Sequence, residues 1–223
     1  MGSERMIVVA NSRKTGGRCI AGLSTRTGEL VRPVSPGGGG ELSDEECAVD
    51  EHIPRLLEVV TFTHQGSEGI PAQPENVVID GEPWQTEGLA EERATEELLK
   101  GLLEKGPRLL GNNGRAVPAE DAAKGMSKSL ALVEPAQLRF GHGPDAEAHR
   151  GSPRAVFRFG GRRWSLPVTD FEIGPRILKL PEGLYGFEGL DIEKPERVIL
   201  TVSLGTEYEG WHHKLVAGII RLG

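Results

Sequence analysis

The sequence predicts a mainly β protein built as two OB-like five-stranded barrels joined by a short helical connector. Three observations carry that expectation. Glycine (31) and proline (15) punctuate the 223-residue chain every few residues, which favours short strands and tight turns over long helices. Strand-like apolar runs come in two groups of five, and one amphipathic helical stretch separates the groups. A chain of this length buries a sufficient core as one large or two small domains, and the turn density suits two.

The elements follow in order. Residues 6–10 are apolar and β-branched and run into Asn11-Ser12-Arg13-Lys14-Thr15-Gly16-Gly17, which reads as a turn. Residues 18–24 and 29–35 supply the next two strands of a meander. After a glycine break at 37–40, the β-prone run 56–63 pairs back into the same sheet. Residues 77–80, following Gln73-Pro74-Glu75-Asn76, complete the five strands that an OB barrel requires.

Between 89 and 105 the period changes. Ala90, Ala94, Leu98, Leu99, Leu102 and Leu103 fall near helical spacing, and Gly106-Pro107 stops the run. Pro118 can open a second, shorter helix that Gly125 ends. Strands resume at 130–140, 154–159, 163–169, 197–204 and 214–221. The expected organisation is therefore a first barrel over 1–86, a helical connector over 87–126 and a second barrel over 127–223. Arg18-Cys19-Ile20-Ala21-Gly22-Leu23 is echoed by Lys214-Leu215-Val216-Ala217-Gly218-Ile219, an echo too short to establish a duplication.

Several segments carry a resemblance when read as a set: NSRKTGGRCIAG (11–22), LVRPVS (30–35), QPENVVID (73–80), WSLPVTD (164–170), ILTVSLG (199–205) and KLVAGII (214–220). Through them the chain resembles the bacterial dual OB domain-containing family over nearly its whole length. The resemblance implies two OB-type barrels and a nucleic-acid-binding role, in a bacterial defence or stress setting. It brings no catalytic residues with it.

Composition narrows the partners. Two cysteines, Cys19 and Cys47, imply no disulfide framework. No apolar run is long enough to span a bilayer and the start lacks the apolar core of a signal peptide, so a cytoplasmic protein with no membrane partner is expected. The net charge of −7 argues against a general nucleic-acid coat. The charge is uneven, however. Residues 1–35 carry six basic side chains against Glu4 and Glu29, and residues 150–163 carry five arginines and no acid.

Those clusters define the candidate sites. Asn11, Arg13, Lys14, Arg18 and Arg32 crowd a short meander, where they either contact phosphates or protect a strand edge. Arg158, Arg162 and Arg163 surround a Gly160-Gly161 hairpin beside Trp164, and strand alternation assigns that Trp to the core with Leu166 and Val168. In Trp211-His212-His213-Lys214, His213 and Lys214 are candidates for phosphate contact. The adjacent histidines point to opposite faces and make a poor metal pair; His142 and His149 around Asp145 lack nearby cysteines. Neither a metal nor a cofactor is expected. Gln73-Pro74-Glu75-Asn76 either reads base edges or caps loop backbone, the second needing less. The glycines at 37–40 are followed by acids, so they form no phosphate loop.

The leading function is therefore binding of single-stranded nucleic acid or structured RNA in a groove formed by the two barrels. Low aromatic content, 5%, counts against it, and the acidic balance suits a protein-interaction scaffold with a protein partner. A small-nucleotide sensor with a pocket between the barrels is a further reading. An enzyme would most simply use the Cys19 thiol with His212 or His213 as base, but no complete catalytic motif is present.

Overall fold

The computed structural model of the chain describes residues 1–14, 16–37, 40–67, 69–149 and 151–223. Thr15 of the expected first turn, Gly38 and Gly39 of the glycine break, and Arg150 of the arginine run lie outside the described residues, as does Glu68.

The first barrel is made of β1 (Gly2–Lys14), β2 (Gly17–Ser24), β3 (Leu30–Val34), β4 (Glu58–Ser67) and β5 (Asn76–Ile79). They join in the order β1-β2-β3-β5-β4 and close by pairing β4 back onto β1. β3 and β5 run parallel, as Arg32 meets Asn76 and Val34 meets Val78; every other pair is antiparallel. This closed circuit leaves no free edge on the five strands. Met6, Val8, Ile20, Val31, Val60 and Phe62 fill it, and the Trp84 ring stacks on Phe62 at 4.9 Å. A single turn of helix, α1 (Asp44–Cys47), follows β3 and is opened by a Ser43–Glu46 capping box.

β6 (Gln85–Leu89) then adds an edge strand to β4, and α2 (Glu92–Gly101) follows. The helix is shorter than its apolar spacing predicts because the Glu91 carboxylate caps the amides of Arg93 and Ala94, which sets the first turn there. The stretch expected as a helical connector thus also gives strands. Its end contributes β7 (Ala116–Pro118) ahead of α3 (Ala119–Ala122).

The second half repeats the first circuit with more irregular pieces. β8 (Leu130–Val133) and β9 (Ala136–His142) are one predicted strand broken at Glu134-Pro135. Proline cannot donate to a ladder, and Gln137 adopts a positive φ of 54° just beyond it. β10 (Arg154–Phe159) and β11 (Arg162–Pro167) continue the meander. α4 (Ile173–Ile177), the edge strand β12 (Gly183–Tyr185), β13 (Arg197–Tyr208) and β14 (Trp211–Leu222) complete the chain. The sheets β11-β10-β9-β12 and β7-β14-β13-β8 meet through a parallel Val168–Val216 bridge. Hence β8/β9, β10, β11, β13 and β14 stand where β1, β2, β3, β4 and β5 stand in the first barrel, with α4 in the place of α1. The interior is the largest apolar cluster, including Phe140, Phe157, Trp164, Leu166, Val202 and Val216.

The barrels dock face to face. The outer side of β1, β2 and β3 lies on the outer side of β8, β13 and β14, with Val9, Leu23, Leu132, Ile199, Ile220 and Leu222 in one shared apolar cluster. Ala10, Ala21, Leu130 and Ala217 form a second. The sequence echo thus falls on non-equivalent strands, β2 and β14, and its alanines meet across this interface. Gly218 permits the close approach, since a Cβ there would overlap the Val9 carbonyl oxygen. Thr201 Oγ1 donates to that same carbonyl at 2.6 Å.

Candidate nucleic-acid interface

In an OB barrel the face of the second and third strands, with the neighbouring loops, is where oligonucleotides bind. The first barrel spends that face on the second barrel. The second barrel covers part of its own with the loop after β9, whose Ala146 carbonyl accepts from Ser165 Oγ at 2.6 Å, and leaves Arg139 and the β10–β11 hairpin end exposed.

Register decides what that face presents. Phe157 pairs with Trp164 and Ala155 with Leu166, all buried in the core. The alternate positions therefore lie on the outer side: Arg158 opposite Arg163 and, beside Val156, Arg139 are exposed, whereas Val156 and Ser165, opposite each other, are buried. The hairpin that holds Arg158 against Arg163 turns on Gly160 and Gly161, at φ of +58° and +76°. Two like charges directly opposite each other destabilise a strand pair. Such a pair is relieved by an anion between or above it.

An internal anion partly does so. The loop after β9 returns Glu147 to bridge Arg115 and Arg163, and Arg163 also donates to the Asp145 carbonyl at 3.2 Å. Arg139 lies 3.8 Å from Glu188. Among the described residues, Arg158 and Arg162 have no ion-pair partner. Arg154 is half-buried with its Nε unpartnered, and burial, then the neighbouring Arg115 charge, lowers its pKa while Glu147 opposes. The site thus carries uncompensated positive potential.

Beside this face runs a groove of about 410 Å³ bordered by Arg115, Arg154, Trp211 and His213. Trp211 is 46% exposed, an indole available for stacking next to guanidinium groups. His213 faces the same side, whereas His212 turns inward and holds the Gly205 carbonyl through Nδ1 at 2.9 Å. Lys214 was expected at the surface and is fully buried. Its Nζ donates to Asn112 O, Asn112 Oδ1 and Gly114 O at 3.1, 2.8 and 2.7 Å, pinning the turn that precedes β7. Burial pushes its ammonium down to about 8.

The first-barrel candidates gather elsewhere and are mostly occupied. Arg32, expected on an open surface, is sealed in the interface by Asn76 Oδ1 at 3.3 Å and Ser203 Oγ at 3.0 Å, and desolvation lowers its pKa. Arg18 is buried too, bound to Asp44 and to Asn11 Oδ1, while Asn11 Nδ2 donates to Pro54 O at 2.9 Å. Lys14 pairs with Glu41 at 2.9 Å. Arg13 remains exposed, opposite Arg18 in the ladder, and both guanidinium groups sit over the Phe171 ring, at 4.7 and 3.7 Å. Asn11, Arg18 and Phe171 border a cleft of about 590 Å³ between the barrels. Asp170 at its floor accepts from the amides of Glu172, Ile173 and Ile219, and burial pushes its carboxyl up to about 6 against those bonds.

Thiol chemistry finds little support. Burial pushes the Cys47 thiol up to about 11, and among the described residues no hydrogen bond joins Cys19 to His212 or His213. The Gln73–Asn76 turn serves backbone capping, but across the interface. The Glu75 carboxylate accepts from Ser129 N and Oγ, each at 2.6 Å, and from Leu130 N at 3.1 Å.

Sequence reading missed Arg115, Arg139, Arg154 and Phe171. Arg139 and Arg154 were legible in principle, as alternate positions on strands whose apolar partners point inward. Arg115 and Phe171 sit in loops that only tertiary packing brings to the sites.

Among known proteins, the family model described as DuOB, dual OB-containing domain, matches residues 4–219. No curated protein matches the chain. Among the described residues no helix is long and apolar enough to cross a membrane.

Proposed function

The chain belongs to the dual OB-containing domain family, and from that premise we propose that it binds single-stranded nucleic acid across the β9–β10–β11 face of its second barrel. One observation carries the reading: the strand pair that OB barrels use for ligands presents Arg158 opposite Arg163, with Arg158 and Arg162 unpaired among the described residues. Phosphates would lie along Arg139, Arg158, Arg162 and Arg163, and a base would stack on Trp211 in the adjoining groove. One such stack is worth about 1–3 kcal/mol. The −7 net charge keeps binding local to this face rather than spread over the molecule. The cleft between the barrels is the weaker candidate for a joint groove, because Arg18, which borders it, is already bound to Asp44. A bacterial defence or stress setting, as the family resemblance implies, would employ such a module to detect exposed strands.

The test is fluorescence anisotropy with single-stranded DNA, single-stranded RNA and duplex at low and moderate salt. Arg158→Glu/Arg163→Glu should abolish single-strand binding, and Arg158→Ala should flatten the salt dependence by about one unit of slope. Arg18→Ala, in the first barrel, should leave affinity unchanged. No binding of any oligonucleotide by the wild type at low salt would sink the proposal and leave the protein-scaffold reading.

A further inference from the structure

On the opposite side of β14 from the Trp211 groove, a second cavity of about 430 Å³ lies between the barrels. Its size falls in the range of small-molecule sites. The loop joining β4 to β5 forms one wall with Ile70, Pro71 and Gln73, and that loop is one of those through which OB barrels hold ligands. The second barrel closes it with Ala119, Ala123, Thr206 and His212.

The histidine is the informative residue. Its Nδ1 lies 2.9 Å from the Gly205 carbonyl, which can only accept, so Nδ1 carries the proton. In the neutral ring Nε2 is then an acceptor. Among the described residues it has no hydrogen-bond partner, although His212 is 8% exposed and borders the cavity. An acceptor in such a place takes its donor from the cavity, from water or from a ligand that displaces it. Nearby stand Gln73 and Asn76, both buried, with the Gln73 amide fixed by its bonds to Leu204 O and from Asn76.

Charge sets the ligand class. Among the described residues no lysine or arginine borders the cavity, and Glu207 is its one charged group. Phosphate and carboxylate ligands are thereby disfavoured. The rest of the lining is mostly apolar, from Val34, Ile70, Pro71 and three alanines, with Ser35 and Thr206 as further polar groups. From this geometry we infer that the cavity binds a neutral nucleobase, presented as a nucleoside, whose exocyclic amine or ring N–H donates to His212 Nε2. This site is separate from the arginine face and does not depend on it.

Calorimetric titration of the full chain with adenosine, guanosine, cytidine and uridine, and with glucose as a neutral polyol, tests it. At least one nucleoside should bind, and its 5′-monophosphate should bind more weakly. His212→Asn places an amide N–H where Nδ1 stood, keeping the bond to Gly205 while deleting Nε2, and should weaken binding about tenfold. Ala123→Trp, at an exposed wall position, should abolish it by filling the cavity. Arg158→Glu/Arg163→Glu should leave nucleoside binding unchanged, which separates this site from the proposed nucleic-acid face. Binding of no nucleoside, preference for glucose, or nucleoside affinity untouched by both cavity variants would each overturn the inference.

Discussion

The two barrels follow one strand order and treat the same face in opposite ways. On the first, the outward side of β1–β2–β3 offers Ala10, Ala21 and Leu23 to a neighbouring sheet, and its Arg32 is matched by Asn76 and Ser203, while Arg18, on the Ile20 side of β2, is matched by Asp44. On the second, the equivalent side carries Arg139, Arg158 and Arg163, and Arg158 has no matching group among the described residues. A guanidinium is buried only where partners replace its water. The difference teaches that basic density along a segment does not locate a binding surface. The supply of partners from distant segments does.

The sharpest way to break the comparison is to spoil the docking that hides the first face. Gly218→Val would drive a side chain into the Val9 carbonyl oxygen and the Ala10 Cα, both backbone atoms that cannot step aside. We expect loss of cooperative folding, a cost above about 4 kcal/mol. Gly161→Ala, at a positive φ of 76° but with open space around it, should cost only about 1 kcal/mol. Urea melts of both variants check this; a Gly218→Val protein as stable as wild type would mean the faces are not packed together.

A smaller effect separates the two echoed cations. Arg18 faces Asp44, whose carboxyl it holds below the ordinary range by a direct hydrogen bond, whereas Lys214 meets neutral oxygens and, at 5.2 Å, the Trp164 ring. Burial lowers Lys214 from the ordinary 10.5 to about 8, so the unfolded chain binds the proton more tightly than the fold does. The fold bears the full cost below pH 8 and is relieved of it as pH rises toward 10.5. Wild type should therefore gain about 3 kcal/mol over that interval relative to Lys214→Met. Urea melts of both proteins at pH 7.5 and 10.5 measure the difference, and parallel profiles would show that the ammonium is not held at the cost its burial implies.

How much was legible follows the same logic. Strands such as 154–159 and 163–169 show their alternation within a few residues, so their existence and the burial of Trp164 are local facts. Two barrels could be read because turns and strand runs repeat along the chain. Arg32 could not be placed, since its partners lie at 76 and 203. Lys214 could not either, since the oxygens around it come from 112 and 114. The strand β6 was hidden because it is exposed and not apolar, being held by its ladder with β4 and by the Arg5–Glu87 ion pair to β1. Phe171 follows a predicted strand, but the two arginines over its ring come from another barrel.

Glu75 offers the finest discrimination between structural and ligand-reading roles. Its carboxylate is acceptor-only and meets three donors of the second barrel, from Ser129 and Leu130. Glu75→Gln keeps the shape but either sets its NH₂ against the two backbone N–H groups or sets it against Ser129 Oγ, which must then accept and lose the carboxylate acceptor of its own O–H. The expected cost is about 1–3 kcal/mol. Oligonucleotide affinity should be unchanged, because the arginine face lies on other strands. Were the Gln73–Asn76 turn instead reading base edges, the same substitution would lower affinity with little change in urea midpoint. Measuring both on one preparation therefore decides whether this turn belongs to the joint between the barrels or to the binding surface.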